Sequence, residues 1–104
     1  MVNRGDVCWV ELPNEKRRPA LVLTRDAAIP AMGQVVVAYL TSKIRNIPTE
    51  VEIGADEGVP RDCVVNLDNL RTVPSALLTE RIASLSGARM HQVCRALAIA
   101  TGCD

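Results

Sequence analysis

The fold is decided by residues 18–41, RPALVLTRDAAIPAMGQVVVAYLT, where two apolar runs are separated by a more polar connection. Residues 20–24 form the first run, which predicts a β-strand. The second run, residues 34–40, is almost continuously apolar and predicts a strand near the centre of a sheet. Residues 26–33 contain a proline and a glycine and predict a connection between the two strands.

Shorter apolar or alternating stretches on either side predict the rest of the sheet. Residues 75–78 follow a proline and predict one helical turn, whereas residues 79–85 fit either a last strand or a helix. The polar stretches 14–18, 41–48 and 54–61 predict exposed loops. Further strands are expected at residues 7–12, 49–53 and 62–67, the last one extended or followed by residues 70–73.

The C-terminal segment predicts an amphipathic α-helix. Ser86 is a good N-cap and Gly102 a natural terminator. The apolar stripe consists of Met90, Val93, Cys94, Leu97 and Thr101, which have helical spacing. Strands followed by one helix indicate a small α+β domain that spans residues 1–104, a curled antiparallel sheet with a helix packed on it.

Composition excludes several classes of function. The chain has 104 residues, 48% hydrophobic and 23% charged, enough for one compact domain. Trp9 and Tyr39 are the only aromatic residues, so an RNA-binding module built on rows of aromatic rings is not expected. The formal net charge is zero, but residues 1–45 carry seven basic and four acidic residues, which allows a local basic patch.

Cysteine and histidine usage predicts no metal site and no cofactor. The four cysteines, Cys8, Cys63, Cys94 and Cys103, have no C-x-x-C spacing, and His91 is the only histidine, expected on a solvated helix face. No apolar segment resembles a signal peptide or a membrane span. We therefore expect a cytoplasmic protein with free thiols, in which Cys63 and Cys94 are small core residues.

Polar residues at the ends of the two central strands suggest a phosphate clamp. If these strands pair as an antiparallel hairpin, Arg18 at the start of one lies beside Thr41 at the end of the other. A guanidinium binds phosphate through two parallel hydrogen bonds, and a hydroxyl can donate another. By the pattern alone, an arginine before a proline is more commonly a solvated loop charge than a phosphate site.

Six short motifs, in order and correctly separated, resemble the MazF/PemK (Kid) toxins of bacterial type II toxin–antitoxin systems. The resemblance covers almost the whole chain, from about Arg4 to Gly102. The motifs are Arg4-Gly5-Asp6-Val7-Cys8-Trp9-Val10, Arg18-Pro19-Ala20-Leu21-Val22-Leu23, Leu40-Thr41-Ser42, Pro48-Thr49-Glu50-Val51, Leu70-Arg71-Thr72-Val73 and residues 78–85.

This resemblance implies a fold, an activity and partners. The fold would be a small SH3-like β-barrel with a C-terminal helix, shared by the CcdB and MazF toxins. The protein would act as a homodimer that cleaves single-stranded RNA at short motifs without a metal, leaving a 2′,3′-cyclic phosphate and a 5′-hydroxyl. A cognate antitoxin would block the RNA groove.

The resemblance also assigns roles to residues. Arg18 and Thr41 match the catalytic pair of the family, and Asp68 matches an acidic residue used by the PemK branch. That branch has an arginine where this chain has Asn66. The general base stays open between Asp68 and a 2′-hydroxyl that loses its proton to water. RNA-binding roles are expected for residues near this pair, namely Lys16, Arg17, Ser42, Lys43, Arg45 and Asn66.

Two alternatives belong to other classes of function. A CcdB-like gyrase poison is disfavoured because such toxins typically end in Trp-Gly-Ile, whereas this chain ends in Thr101-Gly102-Cys103-Asp104. A non-catalytic SH3-like binding module would need an aromatic groove for its ligand, and two aromatic residues are too few to build one.

Overall fold

A computed structural model describes all 104 residues, which form one six-stranded antiparallel sheet and two helices. Single 3-10 turns lie at Ala55–Glu57 and Ser75–Leu77. The strands and helices are β1 (Asp6–Val10), β2 (Arg18–Val22), α1 (Ile29–Met32), β3 (Gln34–Thr41), β4 (Glu50–Ile53), β5 (Cys63–Pro74), β6 (Leu78–Ser84) and α2 (Gly87–Thr101).

The strand order is β4-β5-β3-β2-β1-β6, so β3 lies inside the sheet, as its continuous apolar run predicts. Strands β2 and β3 form the predicted antiparallel pair, with Ala20 opposite Tyr39. Strands β4 and β6 are the two edges and do not pair with each other, so the sheet is an open version of the expected barrel. The ambiguous residues 79–85 are largely strand, because β6 pairs with β1.

Strand β5 carries an irregularity that shapes the molecule near β3. Ala38 is opposite Leu70, whereas Leu40 is opposite Val65. The single residue Tyr39 therefore faces the four residues 66–69 of β5. A bulge of this kind breaks the hydrogen-bond ladder and redirects the side chains within it. We call residues 66–69 the β5 bulge.

Both faces of the sheet are apolar, because alternate strand residues point to opposite sides. Helix α2 covers one face and contributes Val93 and Ala96 to its core. The core on this face also contains Val7, Leu21, Leu23, Ala38, Leu40, Val51, Ile53, Val59, Cys63, Val65, Leu67 and Leu85. The core on the other face consists of Cys8, Val10, Ala20, Val22, Ile29, Val35, Val37, Tyr39, Val73 and Leu78.

Helix α2 has the predicted ends but a rotated apolar stripe. Ser86 Oγ accepts a hydrogen bond from the backbone N–H of Arg89 at 3.1 Å, and Gly102 ends the helix in a left-handed conformation. The prediction that Cys94 is a core residue is wrong: it is exposed, and Arg4 donates to its Sγ at 3.1 Å. Cys94 and Thr101 lie outside the apolar stripe, whose inward residues are Met90, Val93, Ala96, Leu97 and Ala100.

Two further features differ from or extend the sequence prediction. The connection between β2 and β3 contains the short helix α1, which ends at Gly33 with φ of 68°. Asp6 was expected to precede the first strand, but it lies within β1 and is only 4% exposed. Its carboxylate accepts from the Asn3 backbone N–H and from Ser84 Oγ, which ties the N-terminus to β6. No helix is both long and apolar enough to cross a membrane.

Candidate active site

The pairing of β2 with β3 brings Arg18 and Thr41 to the same end of the sheet. Ala20 is opposite Tyr39, and continuing this register by two residues places Arg18 opposite Thr41. Arg18 lies on the same side of β2 as the core residue Ala20, and Thr41 lies on the same side of β3 as Tyr39. Both side chains are therefore on the face of the sheet that α2 does not cover. Arg18 is exposed and Thr41 is half-buried.

The guanidinium of Arg18 is held by an aromatic ring. Its Cζ atom lies 4.1 Å from the centroid of the Tyr39 ring. Tyr39 is only 4% exposed, so the ring is a fixed surface on which the guanidinium stacks. Stacking restrains the long side chain without using its N–H donors or neutralising its charge. Arg18 is therefore positioned and still free to bind an anion.

The hydroxyl of Thr41 already accepts one hydrogen bond within the protein. Thr41 Oγ1 accepts a hydrogen bond from the backbone N–H of Lys43 at 3.1 Å. A hydroxyl has one hydrogen to donate and two lone pairs to accept with. The Lys43 contact uses a lone pair, so the O–H of Thr41 remains available to donate to a ligand on the Arg18 face.

An ion pair that the sequence analysis did not assign to the site lies beside Tyr39. Arg71 binds both carboxylate oxygens of Glu15, at 3.1 and 3.2 Å. Hydrogen bonds and charge from Glu15, with smaller contributions from Tyr39, raise the pKa of the Arg71 guanidinium above its usual value. The only sequence signal for Arg71 is its place in the Leu70-Arg71-Thr72-Val73 motif, because Glu15 is 56 positions away.

The β5 bulge carries the two other predicted site residues, Asp68 and Asn66. Asp68 Oδ2 accepts a hydrogen bond from Thr49 Oγ1 at 2.6 Å, and the Asp68 backbone N–H donates to Asn66 Oδ1 at 3.0 Å. Asp68 is exposed. Its hydrogen-bond partners are thus Thr49 and Asn66 rather than Arg18 or Thr41, although the bulge faces the Tyr39 that Arg18 stacks on.

The remaining predicted RNA-binding residues lie in the two loops that flank this strand end. Lys16, Arg17, Ser42, Lys43 and Arg45 are all exposed, and none of the four cations forms an ion pair. The guanidinium of Arg17 stacks on Trp9, with Cζ 4.1 Å from the ring centroid. The side chains around Arg18 therefore present unneutralised positive charge to solvent.

One concavity of the surface is poorly suited to a polyanion. It lies between Ile44 of the β3–β4 loop, β4, the Ala55–Glu57 turn and the start of α2, and its lining includes Glu52, Asp56, Glu57 and Asp62. Its one cation, Arg89, is paired with Glu57 at 3.4 Å. No group of three or more histidine, cysteine, aspartate or glutamate side chains is placed to hold a metal ion.

Known proteins resemble this chain over its whole length. The family model of PemK-like, MazF-like toxins of type II toxin–antitoxin systems matches residues 3–101. The chain is 44% identical over 103 residues to the probable endoribonuclease MazF2 of Mycobacterium tuberculosis (strain CDC 1551 / Oshkosh), covering 98% of this chain and 100% of that protein.

Solved structures share the fold. The Mycobacterium tuberculosis toxin MazF-mt6 matches with a TM-score of 0.86 and 31% identity, covering 95% of this chain and 98% of that one. An endoribonuclease in complex with its cognate antitoxin, from a mycobacterial species, matches with a TM-score of 0.88 and 28% identity, covering 100% of this chain and 98% of that one. The chain belongs to the family of PemK-like, MazF-like toxins of type II toxin–antitoxin systems.

Proposed function

We propose that the endoribonuclease activity of this family member resides at the Arg18 face and acts on single-stranded RNA. One observation carries the proposal: the Arg18 guanidinium is stacked on the buried ring of Tyr39 and is not paired with a carboxylate. It lies in register with Thr41, between two exposed basic loops. An immobilised, unneutralised guanidinium beside a free O–H suits a phosphodiester.

The reaction would use the 2′-hydroxyl of the RNA as nucleophile. Its oxygen forms a bond to the adjacent phosphorus while the bond to the 5′ oxygen of the next nucleotide breaks. The products are a 2′,3′-cyclic phosphate and a 5′-hydroxyl, and no metal is required. The protein must align the two oxygens, stabilise the charge on the phosphorane and move two protons.

Arg18 and Thr41 would supply alignment and charge stabilisation. Two N–H groups of Arg18 would bind the non-bridging oxygens of the scissile phosphate, where negative charge builds up in the transition state. The O–H of Thr41 would donate to the same phosphate. A guanidinium is a poor base, so Arg18 would act mainly through its charge.

The two protons need separate routes. We propose Asp68 as the carboxylate that accepts the proton of the 2′-hydroxyl, because it is exposed on the β5 bulge next to Tyr39. The other route is direct loss of that proton to water. The leaving 5′ oxygen would receive its proton from solvent or from Arg18, which would be reprotonated at once.

The surrounding side chains would hold the rest of the RNA. Phosphates on either side of the cut would lie against the exposed cations Lys16, Arg17, Lys43 and Arg45, with Ser42 and Asn66 as hydrogen-bonding neighbours. Such contacts release counterions and make binding sensitive to salt. The loops that carry them would also read the short RNA motif.

We also propose that the chain works in the cytoplasm as a homodimer and is inhibited by a cognate antitoxin. A similar mycobacterial endoribonuclease is described in complex with its cognate antitoxin, which supports the antitoxin. The relatives are named endoribonucleases, so neither a gyrase poison nor a non-catalytic binding module is favoured.

The test is cleavage of single-stranded RNA in EDTA, with mapping of the ends. We expect cyclic phosphate and 5′-hydroxyl ends at a short motif. Replacing Arg18 with alanine should lower the rate by about 10²–10³-fold, the usual loss when one stabilising group of a transition state is removed. Arg25→Ala, an exposed arginine in the β2–α1 connection, is the matched control and should cleave like the parent. An Arg18→Ala protein as fast as the parent would refute the proposal.

A further inference from the structure

A second arginine–aromatic stack lies next to the first, on the opposite side of the sheet. The guanidinium of Arg17 lies 4.1 Å from the centroid of the Trp9 ring. Trp9 is in β1, opposite Pro19 of β2. Because successive strand residues point to opposite faces, the Trp9–Arg17 stack and the Tyr39–Arg18 stack flank the start of β2 from its two sides.

Trp9 contributes to neither apolar core. It is half-buried, and it is absent from both clusters of core residues and from the partly buried residues packed against them. A tryptophan usually stabilises a small domain by burying a large apolar surface in the core. In this chain the ring instead faces the exposed guanidinium of Arg17, so packing within the core does not account for its presence.

The outer layer of this stack is a flat, cationic and accessible surface. Arg17 is exposed and forms no ion pair, so one face of its guanidinium covers the indole while the other is open to solvent. Binding a phosphate would require only a positive charge at this position, and a lysine would supply that charge as well as Arg17 does. A planar guanidinium held flat on an aromatic ring is the arrangement on which nucleobases stack.

We propose that Trp9 and Arg17 form a stacking site for one nucleobase of the bound RNA, on the side of the sheet opposite Arg18. The inference rests on the proposed function and refines it: Arg17 would bind a base through its plane rather than a phosphate through its charge. Arg17 and Arg18 are consecutive, with Cα atoms about 3.8 Å apart. Because the two side chains lie on opposite sides of the sheet, the stacked base belongs to a nucleotide near the cut and need not adjoin it.

The chain offers a direct probe, because Trp9 is its only tryptophan. The ligand is an RNA oligonucleotide that contains the cleaved motif, with a 2′-O-methyl group at the cut so that it binds without reacting. We expect its binding to quench Trp9 fluorescence. A series of the same oligonucleotide with one abasic nucleotide per member keeps every phosphate, and one member of the series should bind without quenching.

A charge-conserving variant distinguishes stacking on the planar guanidinium from attraction to its charge. Arg17→Lys should weaken binding of the intact oligonucleotide about tenfold, measured by fluorescence anisotropy, because lysine keeps the charge but cannot stack as a plane. It should bind the abasic member with parental affinity. Arg25→Lys is the control and should match the parent with both oligonucleotides.

Two results would overturn the inference while leaving the proposed function intact. One is RNA that is cleaved and bound with no change in Trp9 fluorescence. The other is an Arg17→Lys protein that binds the intact oligonucleotide like the parent. Failure of the proposed function looks different, since the parent protein would then not cleave RNA at all.

Discussion

Two arginines near the proposed site differ in the group that restrains their side chains. Arg18 is held by the ring of Tyr39 and keeps its full charge, whereas Arg71 is held by both oxygens of Glu15 and is neutralised. An anion gains much more from the first kind than from the second. Arg71 is therefore best understood as a support for Tyr39 and the Glu15 loop, and Arg18 as the group that meets the phosphate.

At Asp68, a substitution that keeps the shape tests its role as base. Asp68→Asn retains an oxygen that can accept from Thr49 but cannot take a proton. If Asp68 is the base, the cleavage rate should fall by about 10²–10⁴-fold. Glu80→Gln, an exposed carboxylate on β6, is the control. A parental cleavage rate for Asp68→Asn would favour proton loss to water.

The buried thiol of Cys8 predicts a loss of stability in alkali. Burial, and secondarily the charge of Asp6, raise its pKa from an ordinary 9.0 to about 11. Below pH 9 the thiol is protonated in both the folded and the unfolded chain. Above pH 9 only the unfolded chain ionises, so the free energy of unfolding should fall as pH rises towards 11, by up to about 3 kcal/mol.

Urea unfolding at pH 8 and pH 10 measures this effect. Cys8→Ala is the control: it removes the titrating group and should lose less stability than the parent between the two pH values, although it is less stable at both. An equal fall in the free energy of unfolding of the parent and of Cys8→Ala between pH 8 and pH 10 would contradict a contribution from Cys8. Burial also raises the pKa of the Cys63 thiol. Cys63 is present in both proteins, so its effect on the pH dependence is the same in each.

Among the elements, those with strong local signals could be predicted and those set by distant partners could not. The β2–β3 pair and both ends of α2 follow from apolar runs and from Ser86 and Gly102, which are local. The β5 bulge depends on how two strands distant in sequence align, which no local pattern encodes. The exposure of Cys94 has a similar cause, because the rotation of α2 about its axis is set by its packing on the sheet.

The same distinction applies to the site. The face shared by Arg18 and Thr41 could be anticipated, because adjacent strand ends bring them together. Tyr39 lies within the predicted strand, but its stacking with Arg18 depends on side-chain packing. The Arg71–Glu15 pair joins residues that the sequence gives no reason to connect.

Helix α2 depends measurably on its N-cap. Ser86→Ala removes the side-chain acceptor for the Arg89 backbone N–H and should lower the free energy of unfolding by about 1 kcal/mol. Ser86→Asp restores an acceptor and should lie within a few tenths of a kcal/mol of the parent. Urea unfolding compares the three proteins, and equal stability of Ser86→Ala and the parent would show that the cap contributes nothing.

At the scale of the whole molecule, the positions of the charged residues matter more for RNA binding than the net charge. The formal net charge is zero, so long-range attraction of the chain to RNA is weak. Lys16, Arg17, Lys43 and Arg45, which form no ion pair, lie in the two loops that flank Arg18, whereas a concavity that Ile44 also lines is acidic. RNA binding should therefore depend on a few short-range phosphate contacts.

This placement predicts a moderate salt dependence. If Arg18 and the loop cations Lys16, Lys43 and Arg45 each neutralise one phosphate, the slope of log K against log salt should be about −3, since each contact to single-stranded RNA contributes about −0.7. Affinity for an uncleavable oligonucleotide should then fall about 50-fold between 50 and 200 mM salt. Lys43→Gln should make the slope shallower by about 0.7, whereas Arg25→Gln should leave it unchanged. A parental slope near zero would mean that these loops do not bind phosphate, because counterion release is unavoidable wherever a cation displaces the ions around RNA.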